Sequence, residues 1–224
     1  TTPPFRADHV GSLLRSAALK DARARRDKGE IAPADFKAIE DAEIRKVIAR
    51  QEAIGLHSIT DGEYRRAWWH FDFLGQLDGV ELVSVDHGIQ FAGVATKAEA
   101  PRVMGKIGFT DHPMLDHFRF LKAHTERTAK MTIPSPSMLH YRGGRKMINM
   151  GVYAKMEDFY HDLGQAYRAA VNAFYAAGCR YLQLDDTAVC KLGDPKIQRA
   201  LAERGDDWRT LLGVYVDAIN AVVA

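Results

Sequence analysis

At 224 residues the chain can bury a sizeable core and has room for one or two domains. Its 46% hydrophobic and 27% charged residues are ordinary for a globular protein, and a formal net charge of +2 points neither to nucleic acid nor to a membrane surface as a partner. No apolar run approaches the roughly 18 residues that span a bilayer. The opening TTPPFRADHVGS lacks the basic and apolar regions of a signal peptide, so a cytoplasmic protein is expected. The missing initial methionine suggests processing or trimming. Cys179 and Cys190 are spaced for neither a redox pair nor a zinc knuckle, and are expected to be reduced thiols.

In chain order, FRADHVGSLL would supply a first strand ending at His9-Val10-Gly11-Ser12. Gly11 permits close backbone approach to a ligand, and Ser12 can either hydrogen-bond that ligand or cap the next helix. Lys20, Arg23, Arg25, Arg26 and Lys28 form a basic run, expected to be the solvated face of a helix. Phe36, Ile39, Val47 and Ile48 recur at helical spacing, and Gly55 stops that helix. A short strand then runs into SITDGEYRRAWW, which places Asp61 and Glu63 after it. Carboxylates there can bind an ammonium, act as acid or base, or ligate a metal. They can also merely cap a helix and pair with Arg65 or Arg66.

Trp68, Trp69, Phe71 and Phe73 crowd the next segment, either walling a pocket for a flat ligand or packing a core. Residues 77 to 109 alternate in polarity around Asp86-His87-Gly88, which predicts a β-hairpin inserted over the mouth of the fold. A further helix and strand lead to Pro134-Ser135-Pro136-Ser137. No G-x-S-x-G surrounds these serines, so they are expected as hydroxyl donors in a pocket wall and not as nucleophiles. Phe159, Leu163, Tyr167, Val171 and Phe174 form another helical stripe, stopped by Gly178; RYLQL then reads as a strand that ends at Asp185 and Asp186. The final DWRTLLGVYVDAINAVVA is an amphipathic helix. The nine histidines show no HxH or HExxH spacing, His112 and His117 are expected at the surface, and no zinc site is visible.

Helices alternating with short strands predict parallel βα units, with acidic and polar residues where strands end. The fold class is α/β, of the (β/α)8 barrel type, preferred over an open doubly wound sheet because no strand is followed by GxGxxG or GxxxxGK. About four strands are visible where a closed barrel needs eight. Residues 1–224 are therefore expected to form one incomplete barrel domain holding the first four to five βα units. Either it is the first part of a larger protein or a half-barrel that pairs with another chain. The first is preferred, since a half-barrel leaves edge strands unpaired.

RADHVGSLLR, SITDGEYRRAWW, KMTIPSPSMLH and YLQLDDT, in that order, resemble the cobalamin-independent methionine synthase family, in particular its short bacterial members with a single catalytic barrel. The resemblance implies transfer of a methyl group from a methylated folate to the thiol of homocysteine, held as a thiolate by zinc. It sets Val10, Gly11 and Ser12 against the amino-acid carboxylate, and Glu63 and Asp185, the two catalytic assignments, on its ammonium. Asp61, Asp186, Ser135 and Trp68 complete the substrate-binding set. The family's zinc ligands would all fall beyond Ala224, so no metal ligand is assigned here. The family often has Asp-Glu where this chain has Asp185-Asp186, and its folate-contacting tryptophan is replaced in the Pro134–Met138 stretch. Two alternatives follow: alkyl transfer to another thiol such as coenzyme M, or a non-catalytic half-barrel serving binding or assembly. Small-molecule partners are implied, with no nucleic acid or membrane, and a homo-oligomer is possible.

Overall fold

A computed structural model describes residues 8–85 and 99–223. Helices α1 (Ala17–Asp27) and α2 (Pro33–Ala53) precede the short strand β1 (Ser58–Ile59) and a one-turn helix α3 (Phe71–Leu74). Strands β2 (Asp78–Ser84) and β3 (Glu99–Gly108) follow, then α4 (Pro113–Ala123), β4 (Thr128–Pro134) and α5 (Ser137–Gly143). The chain continues through α6 (Met156–Ala176), β5 (Tyr181–Asp185), α7 (Pro195–Glu203) and α8 (Trp208–Val223). The helix boundaries follow local chemistry. Ser16 caps α1 by accepting from Leu19 N at 3.1 Å, Pro33 opens α2, and Gly55 (φ 88°) and Gly178 (φ 93°) stop α2 and α6 in the left-handed region.

The chain divides into two compact units that interleave along the sequence. The first is Thr1–Ala67, Pro113–Thr132 and Phe174–Gln183; the second is Trp68–His112, Ile133–Ala173 and Leu184–Ala224. Three strands lie in the order β1-β4-β5, with β1 and β4 parallel in the register Ser58 to Thr128. In the first unit Leu19, Phe36, Ile44, Ile48, Ile59 and Leu121 form a buried cluster, so the predicted stripe of α2 does face a core. In the second unit β2 and β3 pair antiparallel, from Asp78 opposite Gly108 to Ser84 opposite Glu99. The predicted hairpin is therefore present in its strands, while its Asp86-His87-Gly88 turn lies outside the described residues. Phe159, Leu163 and Tyr167 of α6 are fully buried, and Tyr167 packs on Phe73 with ring centroids 5.5 Å apart.

Three expectations change. Of the predicted first strand, residues 8–14 form no strand: its carbonyls are taken by side chains, His9 O by Lys130 Nζ (2.5 Å), Val10 O by Gln183 Nε2 (2.9 Å) and Gly11 O by Thr60 Oγ1 (2.8 Å). His112 is not at the surface; it is buried, with Nε2 3.1 Å from Phe73 O and its ring 4.6 Å from that of Phe73. Nor is the basic run of α1 wholly solvated, because Arg23 turns inward to Tyr64 O (2.7 Å) and Arg66 O (2.8 Å).

Asp8 ties the extended segment to three strands of the first unit. Its carboxylate accepts from Ser58 Oγ (2.6 Å), Lys130 Nζ (2.9 Å) and Tyr181 Oη (2.5 Å), and the Lys130 side chain is fully buried. Burial pushes the Asp8 carboxyl upward, but the hydrogen bonds from Ser58, Tyr181 and Lys130 more than offset it and hold the group far below the usual range. A depressed folded-state pKa contributes stability that is complete above the unfolded value of about 3.9 and is lost as pH falls toward the folded value. Asp8→Asn leaves the Lys130 ammonium buried without its counter-ion. It is expected to cost about 3 kcal/mol at pH 7 and to flatten the acid limb of stability below about pH 4, as read by urea titration across pH.

Candidate functional site

The end of β1 is the most constrained stretch of backbone in the first unit. Gln51, on α2, clasps Thr60 on both sides, receiving Thr60 N at Oε1 (3.0 Å) and donating Nε2 to Thr60 O (2.8 Å). The chain then turns through Gly62 (φ 69°) and Glu63 (φ 58°), with Asp61 Oδ1 accepting from Glu63 N at 2.8 Å. Glu63 is the one non-glycine residue with positive φ among the described residues. Such backbone costs on the order of 1–3 kcal/mol and persists only where neighbours over-determine it. Here they do: Arg15 Nη2 donates to Glu63 O (2.9 Å) and to Arg66 O (2.8 Å), and Tyr64 N and Arg66 N bond back to Asp61 O and Glu63 O.

The strained turn aims the Glu63 carboxylate into the protein, where the residue is only 3% exposed. Its Oε1 accepts from Thr132 Oγ1 at 2.9 Å and from Arg66 Nη1 at 3.2 Å. Arg66, 2% exposed, also donates Nη2 to the carbonyl and hydroxyl of Thr132, the end of this unit's part of β4. Glu63 Oε2 receives no hydrogen bond from the described residues. A buried carboxylate is thus held at one oxygen and left with acceptor capacity at the other.

Gly11 lies against the same threonine. Its φ is 129°, and a Cβ there would stand 2.6 Å from Thr132 Cγ2. Only glycine lets the loop approach β4 so closely. Val10 and Ser12 beside it are exposed. A large, mostly apolar cavity of about 890 Å³ in the first unit is lined by His9, Leu13, Val47, Ile54, Leu56 and Tyr64, among others; neither Glu63 nor Thr132 contributes to it.

In the second unit, Asp186 gathers the polar groups at the strand ends. Its Oδ2 accepts from Ser135 Oγ (2.7 Å) and Ser137 Oγ (2.8 Å), and its Oδ1 from Val189 N (2.7 Å). Both serines are fully buried, and Ser135 N donates to Asp185 O at 2.8 Å. Asp186 and Ser135 therefore spend these bonds on each other, and what they fix is the backbone position of Asp185, which is half-buried. Trp68 is half-buried, its N on Asp72 Oδ2 (2.6 Å) and its ring stacked on Phe71.

Of the sequence-predicted residues, Val10, Gly11, Ser12, Asp61 and Glu63 come together in the first unit, whereas Ser135, Asp185, Asp186 and Trp68 belong to the second. Arg15 and Thr132 carry no such signal in the sequence, and Arg66 is read there only as a salt-bridge partner of the acids, a pairing the structure shows with Glu63. The signal for Arg66 was its place three residues after Glu63. Nothing local marks Thr132, which reads as an ordinary strand residue. Zinc does not fit the described residues. No three His, Cys, Asp or Glu gather among them. Cys179 is buried, which pushes its thiol pKa up and disfavours a metal-binding thiolate, while Cys190 is exposed.

Parallel βα units with acids and hydroxyls at the strand ends make this an α/β protein of the TIM-barrel type, the fold of its structural neighbours. The chain belongs to a family described as cobalamin-independent synthase, catalytic domain, whose model matches residues 5–209. It is 46% identical over 222 residues to the uncharacterized protein YxjH of Bacillus subtilis, covering 99% of this chain and 58% of that protein. It is 26% identical over 219 residues to a 5-methyltetrahydropteroyltriglutamate–homocysteine methyltransferase of a Synechococcus species, covering 97% of this chain and 27% of the relative. A crystal structure of a candidate vitamin-B12 independent methionine synthase from Listeria monocytogenes superposes with a TM-score of 0.79 at 43% identity, covering 98% of this chain and 61% of that one. The chain thus spans less than two thirds of the length of each of these relatives.

Two outcomes test this geometry. Arg66→Met leaves the Glu63 carboxylate buried without its counter-ion and is expected to destabilise the protein by about 3–5 kcal/mol, with Arg66→Lys failing to restore the forked contact, as measured by denaturant unfolding. Gly11→Ala is expected to cost about 1–3 kcal/mol. Adding Thr132→Ser, which deletes the clashing methyl and keeps the hydroxyl, should recover the part due to contact and not the part due to φ.

Proposed function

We propose that this chain carries the acceptor-binding part of a methyltransferase of the cobalamin-independent methionine synthase type, which moves a methyl group from a methylated folate to the thiol of homocysteine. One observation carries the reading. Glu63 is a buried carboxylate in strained backbone, held at Oε1 by Arg66 and Thr132 and without a hydrogen bond at Oε2 from the described residues, beside the Gly11-Ser12 loop. Family membership supports the class of reaction, and the substrates are those in the name of the related 5-methyltetrahydropteroyltriglutamate–homocysteine methyltransferase.

In this reading Glu63 Oε2 accepts from the substrate ammonium, and the Val10-Gly11-Ser12 loop, with its exposed Ser12 hydroxyl, receives the carboxylate. In the second unit, Asp186 and Ser135 fix the backbone of Asp185, an acid that family correspondence includes in the binding set. Asp61 shapes the turn through its bond to Glu63 N. The transfer forms an S–C bond as an N–C bond breaks and leaves the protein's side chains chemically unchanged. The chain's contribution is position and charge. Zinc activation of the thiol, part of the same reading, falls to groups other than the described residues. A cytoplasmic place in methionine biosynthesis belongs to the same reading and rests on the family alone; no helix among the described residues is long and apolar enough to cross a membrane.

A second acceptor class has one feature in its favour. Arg66 already balances the charge of Glu63, which lowers the gain from adding a substrate ammonium. A thiol without an amino group, such as coenzyme M, is the corresponding alternative. Glu63→Gln separates the two. If the acceptor is homocysteine, the substitution is expected to weaken its binding at least tenfold, by calorimetric titration, and to leave an amine-free thiol unaffected. Unchanged homocysteine affinity would remove Glu63 from the acceptor site.

A further inference from the structure

Thr60 stands between the Gly11-Ser12 loop and the Glu63 turn and is bonded to both segments. Its hydroxyl donates to Gly11 O at 2.8 Å and accepts from Gly62 N at 3.1 Å. The first bond holds the loop that carries Ser12, the second the turn that carries Glu63. Thr60 is buried, and its own backbone cannot shift, because the Gln51 side chain receives Thr60 N and donates to Thr60 O. Gln51 is itself buried on α2, where its amide also donates to Val47 O at 3.0 Å. The Thr60 hydroxyl therefore starts from a fixed backbone, and with its proton and a lone pair both engaged it has a single orientation.

Further bonds join the same two segments beyond Ser12. Leu13 N donates to Gly62 O at 3.0 Å, and Tyr64 Oη donates to Leu14 O at 2.8 Å. Ser12 is thus bracketed, by Thr60 on Gly11 and by Gly62 on Leu13. The peptide bond between Gly11 and Ser12 is trans, so with Gly11 O directed at Thr60 the Ser12 N–H of the same plane points the opposite way. That N–H has no hydrogen-bond partner among the described residues. On one side of Thr60 there is a fixed donor beside the exposed Ser12 hydroxyl; on the other is Glu63 Oε2, which also receives no bond from the described residues.

We propose that Thr60 is a positioning residue that sets the spacing between the Gly11-Ser12 loop and Glu63, and so selects thiols whose ammonium and carboxylate stand on one carbon, the α-amino acids. This rests on the acceptor-site reading given above. A ligand that engages both segments benefits from their preset spacing, since no further ordering is needed when it binds. A ligand with one charged group engages one segment only, and the spacing is irrelevant to it. Valine matches threonine in shape but can neither donate nor accept there, whereas serine keeps the hydroxyl.

The test is calorimetric titration of four thiols. They are homocysteine, its homologue with a methylene inserted between the amino-bearing carbon and the carboxylate, 3-mercaptopropylamine, which lacks the carboxylate, and 4-mercaptobutanoate, which lacks the ammonium. The parent is expected to prefer homocysteine to the homologue by about tenfold or more. Thr60→Val is expected to remove most of that preference, weakening homocysteine about tenfold and changing each one-group thiol by less than about twofold. Thr60→Ser is expected to restore the parent pattern. A parent without the preference, a Thr60→Val protein that keeps it or weakens all four thiols alike, or a failed rescue by serine would each overturn the proposal. If Thr60→Val does not fold, Thr60→Ala is judged by the same criteria. Glu63→Gln separates the positioning role from the reading beneath it. If that variant leaves homocysteine affinity unchanged, the acceptor site lies elsewhere and the proposal falls with it. If it weakens homocysteine while Thr60→Val does not, the acceptor site stands and the positioning role alone is wrong.

Discussion

The ion pair between Glu63 and Arg66 is the constraint around which the first unit's strand ends are organised. Two oppositely charged groups, 3% and 2% exposed, are costly to desolvate, and their attraction repays this only when the remaining donors and acceptors are matched. The matching partner is Thr132, which gives its hydroxyl to Glu63 and offers both oxygens to Arg66. Everything nearby is shaped to permit that triangle. The left-handed Gly62-Glu63 turn brings the carboxylate inward, Gly11 clears room beside the Thr132 methyl, and Arg15 and Arg23 hold the carbonyls of the turn.

This arrangement explains why acids follow a buried strand here. A carboxylate at a strand end in water would be a cap or a surface charge of little consequence. Placed in strained backbone and bound at a single oxygen, it is an acceptor whose direction the fold itself sets. The second unit shows a different use of the same residue type. Asp186 is satisfied at both oxygens by two serines and a backbone N–H, so it organises the strand end beside the half-buried Asp185.

Much of the architecture was legible in the sequence because periodicity and glycine stops are local signals. The stripes of α2 and α6, the stops at Gly55 and Gly178, the paired strands of the 77–109 segment and the acids after YLQL all follow from spacing. What was not legible depends on long-range pairing. Nothing near Thr132 marks it as the partner of a glutamate 69 residues earlier. The FRADHV segment has strand composition, yet residues 8–14 give their carbonyls to side chains from other segments and not to a ladder. His112 was misread because a histidine beside a helix start looks exposed until Phe73 O and its ring are placed against it.

The most direct test of the central claim is a crystal structure of the protein with homocysteine bound. The amino nitrogen is expected within about 3 Å of Glu63 Oε2, with Arg66 and Thr132 still on Oε1, and the substrate carboxylate against the Gly11-Ser12 loop. An amino group bound elsewhere, with Glu63 touching only Arg66 and Thr132, would show that the ion pair is purely structural and that the acceptor site lies away from the end of β1.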